Sequence, residues 1–389
     1  MTLTAVILAG GKGTRSADPS RAKLAQIIGG RSLMAWHLAA IESIAGIEVD
    51  EVLVVAGHLG EQVQHLCDGL ATSSRSIRVV HEARQEGTVA ATRLAAQHTT
   101  ADAFLVILGD VLMSLRLQDF LGQWQASEAG VAVAVHPSSH PQDSDTCFPA
   151  DDGRVIVVPK GEPRDHVPNM SSAGLFAITR GALSTYGNLA DLGSSVLSAA
   201  ASSADLYAHV TSHYLKDTGT ATRLADAQGD VERGAFARRG TLGRRPALFL
   251  DRDGVINPTE PEFYRPEQFE LLPGVADAIA EANRIGIPVI VLTNQPHIAK
   301  GFMSFQDHQH VRGRMDHLLH LGGAFVDDYF FCPHHPQPGF PGEVPELKVP
   351  CECRKPSVGM ALAAATRHHI DLAASTMVGD TERDRSLSG

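Results

Sequence analysis

TAVILAGGKGTR (Thr4–Arg15) decides the reading of the first half of the chain, because an unbroken apolar run passes straight into a glycine loop carrying Lys12 and Arg15. An apolar run without polar alternation is the pattern of a strand buried on both faces, as in a parallel sheet. Glycines let the backbone approach phosphate oxygens closely, and successive N–H groups form a nest for an anion. The spacing is neither that of a Walker A loop, which needs four residues between its first glycine and Gly-Lys-Ser/Thr, nor the dinucleotide GxGxxG. By itself the loop is equally a tight turn.

Outward from this stretch, a helical pattern (Ser32–Ile44), the strand EVLVVAG (Glu51–Gly57), helices near Gly60–Leu70 and Thr88–His98, and the strand AFLVILGD (Ala103–Asp110) continue a βα alternation. That order predicts a mainly parallel sheet covered on both faces. A second βα series follows with PALFLD (Pro246–Asp251), IPVIVLT (Ile287–Thr293), FVDDYFF (Phe325–Phe331) and STMVGD (Ser375–Asp380). Between the two, GDVERGAFARRGTLGRRP (Gly229–Pro246) is basic and glycine-containing, and reads as a helix end and linker rather than an anion-docking surface. The expected fold is α/β with two Rossmann-like domains, at 1–235 and 246–389, joined by a linker at 236–245.

With 389 residues, 43% of them hydrophobic, the chain can bury more than one core. Its 33 Lys+Arg against 44 Asp+Glu, a formal charge of −11, argue against a general nucleic-acid binder, whose affinity rests on neutralising phosphates. No apolar run reaches membrane-spanning length, and MTLTAVILAGG has no basic n-region, so a cytoplasmic protein without membrane partners is expected. Five cysteines make a disulfide framework a poor reading. Cys67 and Cys147 are isolated, whereas Cys332, Cys351 and Cys353 crowd beside His334 and His335.

Two carboxylates complete the first site. Asp110 ends an apolar strand at the sheet edge where ligands gather, and LKDTGT (Leu215–Thr220) supplies Asp217. Lone aspartates at strand ends are more often caps or turn formers, but a pair converging on one Mg²⁺ would neutralise phosphates. The ordered set GGKGTR (Gly10–Arg15), Lys23, EGTVAA (Glu86–Ala91), GD (Gly109–Asp110), PK (Pro159–Lys160), SAG (Ser172–Gly174) and DTGT (Asp217–Thr220) resembles the sugar-1-phosphate nucleotidyltransferases, guanylyltransferase-like members for heptose 1-phosphate included. The resemblance implies that Gly10, Gly11, Lys12, Gly13, Thr14 and Arg15 hold a nucleoside triphosphate and that Arg15 and Lys23 act at the reacting phosphate. It further implies that Lys160 holds the sugar phosphate and that Asp110 and Asp217 bind Mg²⁺. Ala22 and the EGTVAA variant of the usual LGTAGA depart from the family pattern.

In the second half, DRDGVIN (Asp251–Asn257) places two carboxylates two residues apart at a strand end, suited to dividing phosphoryl transfer between a nucleophile and a proton carrier. Thr293, Asn294, Lys355 and Asp380 follow in order. CPH (Cys332–His334) and CEC (Cys351–Cys353) form two ligand pairs around the loop 335–350, a Cys₃His set that suits a structural tetrahedral Zn²⁺, with His335 the adjacent alternative. Buried reduced cysteines beside a loop histidine are the competing reading, which the presence of both pairs outweighs. DRDGVIN, TNQ and CPH…CECRKP together resemble the haloacid-dehalogenase (HAD) phosphatases of the heptose-bisphosphate and histidinol-phosphate group. This resemblance implies Asp251 as nucleophile, Asp253 as general acid/base, Thr293 and Asn294 on phosphate, Lys355 on the developing charge and Arg354 on substrate. It implies Mg²⁺ on Asp251, Asp253 (through its backbone) and Asp380.

FYRPEQFELLPG (Phe263–Gly274) is closer to the heptose enzymes, although EPEF (Glu260–Phe263) partly echoes the histidinol loop, and TNQPHIAKG departs at Pro296 and His297. Family members continue for a strand and helix beyond GDTERD, so with Gly389 as its last residue the second domain is expected to be short or truncated. The combined expectation is a bifunctional enzyme that removes the 7-phosphate of a heptose 1,7-bisphosphate and transfers a nucleotidyl group from an NTP to heptose 1-phosphate. The alternatives are the same chemistry on another sugar phosphate, a histidinol-phosphate phosphatase, or a sugar-nucleotide sensor without turnover.

Overall fold

The apolar run LTAVILA forms the strand Leu3–Ala9, with Leu3, Ala5, Val6 and Ile7 wholly buried. It pairs in parallel with Val49–Ala56 on one side and Ala103–Leu108 on the other, and Val49–Ala56 pairs in parallel with Ile77–His81. These assignments come from a computed structural model that describes residues 1–11, 18–72, 76–150, 153–240, 243–259 and 265–388. Beyond Ala103–Leu108 the sheet turns antiparallel through Ser171–Thr179, then Thr146–Pro149 and Val155–Val158. The expected parallel sheet is therefore the central part of a mixed one. Helices Leu33–Glu42 and Gly60–Leu70 contribute Met34, Leu38, Val63 and Cys67 to the same buried cluster as Ile7 and Val54. The first starts where the Ser32 hydroxyl accepts from the Ala35 N–H at 3.2 Å. Register sets the site: Ala9 lies opposite Ala56 and Leu8 opposite Leu108, so Gly10, Gly57 and Gly109 leave the sheet at one edge.

The second unit is built on a four-stranded parallel sheet. Leu248–Leu250 lies between Val289–Asn294 and Thr376–Val378, and Asp328–Cys332 flanks Val289–Asn294. Leu250 is opposite both Val291 and Val378, which sends Asp251 and the Gly379–Asp380 turn off the same edge. Its core joins Leu250, Ile256, Val289 and Val291 to Val311, Met315 and Leu319 of the helix Phe305–Leu321. That helix opens with a capping box in which Ser304 and Asp307 each accept from the other's backbone N–H.

The contact boundaries differ from the sequence expectation in two places. The first unit is Met1–Val135, Ser144–Lys160 and Ser171–Gly240; the second is His136–Asp143, Gly161–Met170 and Thr241–Gly389. Two excursions of the first half thus belong to the second unit, where the Asn169 N–H donates to Asp316 Oδ2 at 3.0 Å. Any Cβ on Gly313 would collide with the backbone of His166. At the expected linker, Ala235–Arg239 is a helix of the first unit, and Phe236 packs edge-on against Trp36 and Tyr214 at 4.9 and 5.0 Å. Arg245 already bridges to Ile370 in the second. No helix among the described residues is long and apolar enough to cross a membrane.

Candidate active sites

In the first unit, Asp110 follows the strand Ala103–Leu108, and Asp217 ends the strand Tyr214–Asp217 opposite Val111. Thr218 ties the two segments: its N–H and hydroxyl both donate to the Asp110 carbonyl, at 2.7 and 2.8 Å. Gly219 shows how tightly the polar groups converge. A Cβ there would lie 2.9 Å from Asp217 Oδ1, 3.0 Å from Asp110 Oδ2 and 3.7 Å from Lys23 Nζ. Lys23 Nζ sits 2.6 Å from Asp110 Oδ2, and Arg223 Nη1 sits 2.5 Å from Asp217 Oδ2. Two carboxylates converging beside a glycine offer oxygen donors of the kind a hard divalent cation such as Mg²⁺ takes, each held here by a cationic side chain.

Gly11 belongs to the same neighbourhood, since its missing Cβ would lie 3.9 Å from Lys23 Nζ. Gly10 is pressed against Gly57, whose Cβ would fall 3.2 Å from the Gly10 Cα, and the Gln85 amide donates to the Gly10 carbonyl. Glu82 Oε2 lies 2.6 Å from where a Gly10 Cβ would stand, and burial raises the Glu82 carboxyl above its ordinary pKa. Glu82, Gln85, Thr218 and Arg223 were not assigned from sequence; nothing local distinguishes them from solvated loop residues. Lys12, Gly13, Thr14 and Arg15 lie outside the described residues. Lys160 is exposed, its N–H donates to Asp145 Oδ1 at 2.9 Å, and its side chain is not among those gathered around Gly219.

In the second unit, Lys355 Nζ lies between Asp251 Oδ2 at 2.8 Å and Asp384 Oδ1 at 2.5 Å, with both Lys355 and Asp384 almost wholly buried. Asp251, Asp380 and Asp384 bring their oxygens within 4.8 Å of one another. Three carboxylates against one ammonium leave a formal excess of two negative charges, which fits one Mg²⁺. Burial drives the Asp251 carboxyl upward against the pull of Lys355, whereas Asp384 is held down by Lys355 and Thr381 despite its burial. Gly254, at φ +84°, is required here because a Cβ would run into the Asp380 carboxylate. Asp384 was missed in the sequence although it stands in the GDTERD segment; an acid in the first turn of a short helix looks like an ordinary cap.

Asp253 has a separate set of partners. Arg252, 2% exposed, donates to it from Nε at 3.0 Å and from Nη2 at 2.7 and 2.9 Å. The Asn257 and Gln295 amides add bonds of 3.1 and 2.8 Å. Burial raises the Asp253 pKa, but these partners, Arg252 foremost, outweigh it and hold the group below the ordinary range. Its side chain is therefore not one of the carboxylates clustered around Lys355. Thr293 is buried, and its hydroxyl accepts from Gln295 at 2.9 Å. The Asn294 amide donates to the Lys355 carbonyl at 3.1 Å and accepts from its N–H at 2.9 Å. Its side chain thus holds the backbone of Lys355. Arg354 donates to the His334 carbonyl at 3.0 Å.

The cysteine cluster assembles as a cage. Cys332, Cys351 and Cys353 place their sulfurs 3.3–3.5 Å apart, and His334 Nδ1 lies 3.6 Å from Cys332 Sγ and 3.3 Å from Cys353 Sγ. Four ligands at ~2.3 Å from a tetrahedral centre have edges of ~3.8 Å, so this set needs only slight expansion to take Zn²⁺. His335 points elsewhere, with Nδ1 3.1 Å from the Gln337 carbonyl, so of the two it is His334 that belongs to the cage.

Residues 5–231 match the MobA-like NTP transferase domain family. The Escherichia coli (strain K12) D-glycero-beta-D-manno-heptose-1,7-bisphosphate 7-phosphatase is 42% identical over 139 residues, which is 36% of this chain and 71% of that protein. The Rhodopseudomonas palustris protein of the same name is 40% identical over 141 residues, 36% of this chain and 76% of its own. A solved Bacillus anthracis structure named for glucose-1-phosphate thymidylyltransferase shares the fold, with a TM-score of 0.51 at 18% identity, over 58% of this chain and 94% of its own.

Proposed function

This chain belongs to the MobA-like NTP transferases through residues 5–231 and to the HAD phosphatases through its likeness to the heptose enzymes, and we propose that it performs two successive steps of NDP-heptose synthesis. Heptose 1,7-bisphosphate loses its 7-phosphate, and the resulting heptose 1-phosphate receives a nucleotidyl group from an NTP with release of pyrophosphate. The observation that carries the reading is the gathering of Asp251, Lys355, Asp380 and Asp384 in a chain whose other unit gathers Lys23, Asp110 and Asp217.

In the phosphatase step, an Asp251 carboxylate oxygen attacks phosphorus and the bond to the sugar oxygen breaks. The leaving oxygen keeps the electron pair and takes a proton through Asp253, which Arg252 holds ionised and which therefore first picks that proton up from solvent. Water then attacks the aspartyl phosphate, Asp253 takes its proton, and phosphate leaves with Asp251 restored. Lys355 offsets the negative charge throughout, held to that task by Asn294. In the transferase step, an oxygen of the sugar 1-phosphate attacks the α-phosphorus in line and pyrophosphate departs. Lys23 neutralises charge there, and Lys160 is assigned to the sugar phosphate. Asp110 and Asp217 in one unit, and Asp251, Asp380 and Asp384 with the Asp253 backbone in the other, would hold Mg²⁺, which when bound would supply positive charge against the phosphate oxygens. Cys332, His334, Cys351 and Cys353 would hold Zn²⁺ with all four positions taken by protein, which would make it structural.

The test is a substrate matrix on the full chain with Mg²⁺ and Zn²⁺: orthophosphate from heptose 1,7-bisphosphate and from histidinol phosphate, and pyrophosphate from four NTPs with several sugar 1-phosphates. Preference for histidinol phosphate, or nucleotide binding without pyrophosphate release, would displace this reading in favour of the corresponding alternative.

A further inference from the structure

Behind the phosphatase site a line of buried polar groups leads away from the reacting centre. Arg252 spends Nε and Nη2 on Asp253, and its remaining nitrogen, Nη1, makes a long contact of 3.4 Å with the Tyr329 hydroxyl. The guanidinium carbon lies 6.0 Å from the Phe269 ring centroid, and the Tyr329 hydroxyl meets its far end. The Tyr329 hydroxyl lies 3.1 Å from His308 Nε2, and the His308 ring packs on Phe331 with centroids 4.1 Å apart. Arg312 covers the Tyr329 ring at 5.2 Å.

The direction of the bonds follows from the chemistry. Burial pushes His308 well below its usual pKa, and Arg252 and Arg312 push the same way, so the imidazole is neutral and Nε2 accepts. Burial raises the Tyr329 hydroxyl to about 12 against the pull of Arg252, so it keeps its proton. A tyrosine hydroxyl has one proton to give. It accepts from Arg252 and donates to His308, so the bonds run outward from Arg252, to Asp253 on one side and through Tyr329 to His308 on the other.

We propose that Tyr329 and His308 are positioning residues for the phosphatase step, holding Arg252 so that the Asp253 carboxyl stays aimed at the oxygen of the leaving group. Neither reaches the reacting atoms. Without the hydroxyl, Arg252 keeps a buried N–H with no acceptor, and the cheapest remedy is for the guanidinium to swing, carrying Asp253 with it. The inference rests on the phosphatase reading given above.

The experiment measures kcat/KM of the full chain with Mg²⁺ and Zn²⁺ on two phosphate monoesters. One is a sugar phosphate, whose alkoxide must be protonated as it leaves; the other is p-nitrophenyl phosphate, whose leaving group needs no acid. Wild type must hydrolyse both; if it hydrolyses neither, the phosphatase reading fails and this one is not what failed. In Tyr329→Phe and His308→Leu, kcat/KM on the sugar phosphate should fall about tenfold or more, within the ~10²–10⁴ that general acid catalysis contributes. On p-nitrophenyl phosphate it should stay within about twofold. His308→Gln, whose amide oxygen can still accept from Tyr329, should restore the wild-type ratio. Because both substrates are read on one preparation, their ratio is independent of the fraction folded. An equal fall on both substrates, no fall on either, or a Gln variant as selective as the Leu variant would overturn the proposal.

Discussion

Replacing Cys351 by serine should loosen the Cys₃His loop and, through it, Lys355. Cys351 lies 3.5 Å from Cys332 Sγ and 3.3 Å from Cys353 Sγ, so its loss opens the cage on two edges. A cross-link from Cys332 to Cys353 removes roughly 3 kcal/mol of loop entropy from the unfolded chain, taking a metal bridge to act as a disulfide does. Losing it should lower the unfolding midpoint of the second unit by about 6–12 °C. Lys355 stands two residues past Cys353, and Arg354 between them holds the His334 carbonyl at 3.0 Å. A displacement of about 1 Å at Lys355 would cost on the order of 100-fold in phosphatase kcat. The assays are zinc per chain, thermal unfolding, and phosphate release, with pyrophosphate release from the same sample as control. Full zinc retention, or zinc loss with an unchanged midpoint and unchanged phosphate release, would refute the reasoning.

Asp384→Asn should abolish most phosphate release, by about 100-fold or more, since it removes both a cation ligand and a partner of buried Lys355, while leaving pyrophosphate release intact; steady-state kinetics of both reactions check this. Gly219→Ala should do the reverse, because its methyl group would stand about 3 Å from the Asp110 and Asp217 oxygens and take the space between them; a fall of about tenfold or more in pyrophosphate release alone is expected. Asp316 is pushed up to about 6 by burial, against the pulls of Arg312 and the Asn169 N–H. Its folded-state pKa lies above the unfolded one, so its contribution is complete below about pH 4 and is lost as pH rises through 6, a swing of ~3 kcal/mol. Asp316→Asn should remove that slope from unfolding midpoints measured between pH 4 and 7; parallel curves for variant and wild type would count against it.

The groups readable from sequence are those that a local pattern places. Asp110, Asp251 and Asp380 follow apolar strands, and parallel register delivers such residues to a shared edge. CPH and CEC carry their spacing with them, and the cage they form needs only that the loop fold back. What stayed hidden depends on distant partners. Asp253 is adjacent to Arg252 in sequence, yet its orientation depends also on Gln295, and Asn294 is bonded to the backbone of Lys355. The segments His136–Asp143 and Gly161–Met170 have no hydrophobic period to announce that they pack with the second unit; Gly313 and Asp316 on a remote helix decide it. Phe236 was hidden in a basic stretch whose composition says linker, while its ring belongs with Trp36 and Tyr214.

The most direct test of the two-step account is a single-pot time course with the full chain, Mg²⁺, Zn²⁺, heptose 1,7-bisphosphate and each NTP in turn. The account predicts orthophosphate first and pyrophosphate after a lag, with an NDP-heptose as final product. It also predicts that Asp251→Asn removes both signals from the bisphosphate but leaves pyrophosphate release from added heptose 1-phosphate. Pyrophosphate formed from the bisphosphate by the Asp251→Asn protein, or none formed from heptose 1-phosphate by the wild type with any NTP, would contradict it.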